Sequence, residues 1–144
     1  MTGRILIFLG FVFAFAACNQ KADQVAELEK EVLGIHDEVM PKMGEIMTLK
    51  KGLTQKIAQL DSLQQEGASS TTLAQERQQA LDLTGRLSRA DSLMMGWMYE
   101  YKGDSAKALP TGAALEYFRL EKEKMVHVQE TTTNSIRETR EFLK

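Results

Sequence analysis

Ile35-His36-Asp37-Glu38-Val39-Met40-Pro41-Lys42-Met43-Gly44-Glu45-Ile46-Met47-Thr48-Leu49 is the stretch on which the fold turns. Its apolar residues recur at helical steps of three and four, yet spread beyond a single stripe, as they do in a helix buried against more than one neighbour. Pro41 removes one amide donor and crowds the carbonyl of Asp37, so a bend is expected there, eased by Gly44. Outward from this stretch, Val25, Val32, Val39, Ile46, Leu53 and Leu60 repeat every seven residues. Leu28, Ile35, Leu49 and Leu63 follow them three residues on, with Lys42 and Lys56 interrupting this second series. An unbroken repeat of that length predicts a long, coiled-coil-like first helix.

The remaining chain fits the same architecture. Gly67 is a plausible helix stop before the polar loop Ala68-Ser69-Ser70-Thr71, and Thr72 with Gln75 forms a capping-box pattern. Leu73, Ala80, Leu87, Met94 and Tyr101 then repeat every seven residues, with Gly103 read as the C-terminal cap of a second helix. After Leu109-Pro110-Thr111-Gly112, a third helix presents Leu115, Phe118, Met125, Val128, Ile136 and Phe142 or Leu143 inward. Thr132 and Thr139 on that face make it the weakest of the three. The prediction is an all-α chain forming an up-down-up antiparallel bundle of three helices, over residues 34–67, 70–103 and 111–144. Each segment is about 50 Å long if helical. Folding the sequence about its two loops puts Lys102 level with Ile35 and Gly112, Met94 opposite Met43, Met98 opposite Val39, and His127 near Lys50.

Composition agrees. Of the 144 residues, 43% are hydrophobic, enough for a modest core. Good helix formers dominate, prolines number 2, and no alternating apolar run suggests a strand. A formal net charge of -2 supplies no basic footprint for nucleic acid.

The first residues carry an address. Arg4 precedes an apolar or small run from Ile5 to Ala17, and then comes Cys18, the chain's 1 cysteine. The run is shorter than the roughly 18 residues that span a bilayer, so residues 1–17 read as a cleaved signal peptide. Phe15-Ala16-Ala17-Cys18 resembles a bacterial lipobox, with small residues before the cut and a thiol to carry lipid; Phe15 departs mildly from the usual Leu. Cys18 is then committed to the membrane and unavailable for catalysis, disulfide or metal. Only one acid follows it closely, Asp23, which favours the periplasmic face of the outer membrane in the cell envelope. Residues 18–33 form a tether or a helical stalk ahead of the bundle of residues 34–144. By the folding estimate Val25, Leu28 and Val32 lack partners inside the chain, which makes them the candidate surface for self-association or an envelope protein.

His36, Met40, Met43 and Met47 are spaced four, three and four, and the same estimate gathers six methionines on one level with Trp97, Tyr101, Tyr117 and Phe118. As structure, thioethers fill irregular gaps around a proline and pack on rings, and no cofactor is required. As chemistry, imidazole and thioether suit Cu(I), and His36, Met40, Met43, Met94 and Met98 are the candidate donors. No nucleophile with a base, no carboxylate pair and no Gly-rich phosphate loop is present, so no enzyme is expected.

His36-Asp37-Glu38-Val39-Met40-Pro41-Lys42-Met43-Gly44, with Ala90-Asp91, Met94-Met95 and Trp97-Met98, resembles a family of small lipoproteins of Bacteroidetes. Members often carry the label "viral A-type inclusion protein". The resemblance covers nearly all of the chain after Cys18 and implies an exported, lipid-anchored helical protein with no assigned chemistry. The function expected is a non-enzymatic structural or protein-interaction module, the alternative being an envelope copper binder.

Overall fold

The computed structural model describes residues 5–67 and 70–144, with side chains from residue 22 onward. Among the described residues there are helices and no strand: α1 (Ile5–Val39), α2 (Lys42–Gln65), α3 (Thr71–Glu100), α4 (Gly103–Lys107) and α5 (Thr111–Phe142). The fold class is all-α. Arg4, residues 68–69, and the side chains of Phe15, Ala16, Ala17 and Cys18 lie outside the described residues. No helix among the described residues is long and apolar enough to cross a membrane.

The chain divides into two compact units. Unit 1 comprises Met1–Gly34 and Tyr101–Glu123; unit 2 comprises Ile35–Glu100 and Lys124–Lys144.

Unit 2 contains the stretch around Pro41. The helical hydrogen-bond ladder is interrupted there, with α1 ending at Val39 and α2 starting at Lys42. Around the gap, the Met40 amide donates to the His36 carbonyl at 2.8 Å and the Met43 amide to the Met40 carbonyl at 3.1 Å. The chain thus keeps its helical sense through a residue that cannot donate. Past α2, Gly67 adopts φ +91°, where a side chain would be strained, so it ends the helix as its position implies. The cap of α3 differs from expectation. The Ser70 hydroxyl accepts from the Leu73 amide at 3.1 Å, and Thr72 lies inside the helix rather than at its start.

The seven-residue series is the seam of unit 2. Val39, Met43, Ile46, Leu53 and Leu60 are buried, as are Ala80, Leu83, Leu87, Ala90, Met94 and Trp97 of α3. Steps of three and four put each set on one stripe. On α5 the buried positions are Met125, Val128, Thr132, Ser135, Ile136 and Thr139. Half of that stripe is polar. Ser135 and Thr139 turn their hydroxyls back to the carbonyls of Thr131 and Ser135, at 2.7 and 2.8 Å. The Thr132 hydroxyl is fully buried without a partner. A buried, unpaired hydroxyl costs about 1–3 kcal/mol. Thr132→Val is therefore expected to raise stability by about 1–2 kcal/mol, whereas Thr139→Val, which gives up a formed bond, should change it by less than about 0.5 kcal/mol. Urea denaturation of the two variants side by side checks this.

Helix register in unit 2 corrects the folding estimate. The Gln129 amide donates to the Glu38 carboxylate at 2.7 Å, and Lys42 reaches the Thr133 hydroxyl at 3.5 Å, both across 91 residues. The Arg140 guanidinium grips Glu45. Pairing Ile35 with Gly112 would make that separation about two heptads shorter. Pairing Lys102 with Gly112 turns the chain about residue 107, in the middle of the link, whereas Arg86 meeting Glu138 at 2.7 Å puts the reversal near residue 112, beyond α4. On the other side, Arg77 Nε donates to Asp61 Oδ1 at 2.6 Å and Lys56 meets Glu76 at 3.3 Å, close to the expected pairing of α2 with α3. These exposed pairs mark register and add little energy, of order 0–1 kcal/mol each.

Unit 1 has its own small core. Val25, Ala106, Ala114 and Phe118 are buried together, with Leu28, Tyr101, Leu115 and Tyr117 packed against them. Gly103 is buried beneath the Tyr101 ring, where a Cβ would meet the hydroxyl oxygen at 2.5 Å. Glycine is needed there for a close approach, and it opens α4 instead of capping the preceding helix.

Candidate functional site

The methionine layer is the first candidate. In unit 2 the rings of His36 and Trp97 lie 5.5 Å apart, and His36 Nδ1 is 3.0 Å from Asp37 Oδ1. Met43 and Met94 occupy the seam, and Met40 is half-buried beside Pro41. Met47, Met95 and Met98 face outward, with 62%, 44% and 42% of their surface exposed. The six methionines therefore do not all turn into one layer, whatever level they share along the helices. Met47 follows Ile46, Met95 follows Met94 and Met98 follows Trp97, and one residue turns a helix by about 100°, enough to swing the side chain out of the seam. Of the five candidate donors, two are buried, two are half-buried and Met98 is exposed. Among the described residues no cluster of three or more His, Cys, Asp or Glu could hold a metal ion.

His127 also lies elsewhere than expected. It lines a groove of about 230 Å³ with Leu93, Gly96, Trp97, Lys124 and Val128, far from the level of Lys50. The register shift accounts for this, since it moves every α5 residue by the same amount. Another recess of unit 2, about 490 Å³, is lined by Asp82, Leu83, Arg86, Glu138 and Phe142 among others. Arg86 is bound to Glu138 at 2.7 Å there, Asp82 accepts from the Gln78 amide at 2.9 Å, and the lining presents no nucleophile beside a base.

In unit 1 the structure overturns the unpartnered stripe. Val25 joins the cluster with Ala106, Ala114 and Phe118, Leu28 packs on its margin, and Val32 is fully buried. Glu29 pairs with Lys107 at 2.9 Å, and Glu31 with Lys122. Val25 and Leu28 are packed inside the chain against α4 and the first turns of α5, and Val32 is buried with them out of reach of a partner. Two features escaped the sequence reading here. Glu121 is buried on α5, four residues before Met125, and a groove of about 250 Å³ opens between Ala22, Val25, Ala26, Leu109 and Ala114. Continuing the three-four spacing of α5 backward from Met125, through Phe118 already expected inward, finds Glu121 and Ala114.

The tyrosines of unit 1 form a small polar-edged stack. Tyr117 meets Phe118 edge-on at 5.2 Å and Tyr101 at 6.3 Å, and its hydroxyl accepts the Lys102 amide at 2.7 Å. Burial, reinforced by the charge of Glu29, pushes the Tyr101 phenol up to about 12. The folded state therefore holds this proton more tightly than the unfolded chain. Its contribution to stability is full below pH about 10 and is lost as pH rises toward about 12. Thermal melts should show stability falling across that window, and Tyr101→Phe should flatten the decline.

No protein-family profile, curated protein or solved structure matches this chain.

Proposed function

We propose that the chain is a bacterial lipoprotein of the cell envelope, belonging with the Bacteroidetes family it resembles. It is cleaved before Cys18, anchored by lipid on that residue, and acts as a non-enzymatic helical structural or protein-interaction module. The observation that carries this reading is the Phe15-Ala16-Ala17-Cys18 sequence after an apolar run too short to span a membrane. Its architecture is an up-down-up bundle of three long helical arms, with α1 and α2 as one arm bent near Pro41. In support, Glu38 and Lys42 meet Gln129 and Thr133 in rising order, whereas His36 and Asp61 meet Trp97 and Arg77 in falling order. The site is the periplasmic face of the outer membrane, and the partner is an envelope protein that reads exposed helix faces.

The test is fractionation. The chain should stay with membranes through a carbonate wash and leave with detergent; recovery in the wash overturns the reading. Cu(I) binding by His36 with Met40, Met43, Met94 and Met98 is the second proposal, favoured by the Trp97 ring that lies 5.5 Å from the His36 ring, tilted against it. A Cu(I) titration that leaves Trp97 fluorescence unchanged removes it.

A further inference from the structure

The turn from α4 into α5 reads Ala108-Leu109-Pro110-Thr111-Gly112-Ala113-Ala114-Leu115, eight residues without a charge. Residues 108–113 are exposed, and Leu109 shows 46% of its surface in front of Pro110. Beside it runs the groove of about 250 Å³, floored by the small side chains of Ala22, Ala26 and Ala114. The charged groups on its wall, Glu29 and Lys107, neutralise each other at 2.9 Å, and Lys107 also reaches Asp104 at 3.0 Å. Leu109 thus lines one side of the groove from an uncharged turn while leaving nearly half of its surface exposed.

Chain length says what lies there. Ala22, on the wall of the groove, follows Cys18 by four residues, and four residues reach at most about 14 Å even when fully extended. This step rests on the lipid anchor proposed above: with acyl chains on Cys18, the bilayer surface lies within that reach of the groove. A protein partner would have to share this space with the membrane. The uncharged turn, in contrast, enters the headgroup region with no ionised group to dehydrate.

We propose that the α4–α5 turn is a membrane-contact loop. Leu109 inserts at the boundary between headgroups and acyl chains, and the groove of Ala22, Ala26 and Ala114 lies open to lipid. Anchor and loop together fix this end of unit 1 on the bilayer, where a lipid on a free tether would leave it to tumble.

The experiment uses the full-length, membrane-extracted chain carrying Leu109→Cys, labelled with an environment-sensitive fluorophore and reconstituted into phosphatidylethanolamine–phosphatidylglycerol vesicles containing spin-labelled lipid. The reference is Glu123→Cys, an exposed site of the same unit about 20 Å further along α5. Acylation of Cys18 leaves the introduced thiol as the one reactive group. The result expected is one dye per chain, blue-shifted emission at position 109 and several-fold stronger quenching there than at 123. One dye per chain with equal quenching at both positions overturns the loop and leaves the anchor standing. Two dyes per chain, from a free Cys18 thiol, overturn the anchor and the loop with it.

Discussion

Phe118→Ala is expected to cost about 3–5 kcal/mol of stability, as truncation of a fully buried aromatic usually does. Phe118 is completely buried and is the largest side chain of the unit 1 core. Its buried neighbours Val25, Ala106 and Ala114 are too small to close over the space it would vacate. The edge-on contact with Tyr117 at 5.2 Å would go too, and such pairs add about 0.5–1.5 kcal/mol beyond area. Chemical denaturation followed by helical circular dichroism measures the loss. A cost below about 1 kcal/mol would mean that the cluster around Val25 is not packed as described.

The other large effect is on location. Cys18→Ser should move the chain from the membrane to the soluble fraction entirely, without changing its helical content. Each buried methylene of an acyl chain contributes about 0.8 kcal/mol, so two or three chains far exceed what one exposed leucine can hold. Among the residues described with their side chains, from residue 22 onward, no helix is long and apolar enough to cross a membrane in its place. Membrane retention of the serine variant would mean that another part of the chain carries the attachment.

Much of the seam was legible because burial follows the seven-residue series: Val39, Ile46, Leu53 and Leu60 on one side, and Ala80, Leu87 and Met94 on the other, are all buried. Helix ends marked by a chemical necessity were legible too, as with Gly67 at φ +91°. Gly103 misled because glycine serves two needs. Its position after a heptad suits a helix cap, but its lack of a side chain admits the Tyr101 ring and it opens α4, so the chain reverses beyond α4 and not in the middle of the link. That later reversal accounts for the misplaced His127 and for the expected isolation of Val25, Leu28 and Val32. The methionines failed for a different reason. Their flexible thioethers suit a core or a surface equally, so type alone could not separate Met94, in the seam, from Met98, one step past it. The positions of buried Glu121 and Thr132 follow from helical spacing, but their meaning does not, because a polar residue on an inward stripe signals neither a site nor an error until its partners are known.

The central claim is that Cys18 carries lipid, and intact mass spectrometry of the full-length protein extracted from bacterial membranes tests it most directly. The account predicts a chain that begins at Cys18 and is heavier than its polypeptide by a diacylglyceryl group and, where the host adds it, an amide-linked acyl chain. A mass matching an uncleaved chain, or one with a free Cys18 thiol, would contradict it.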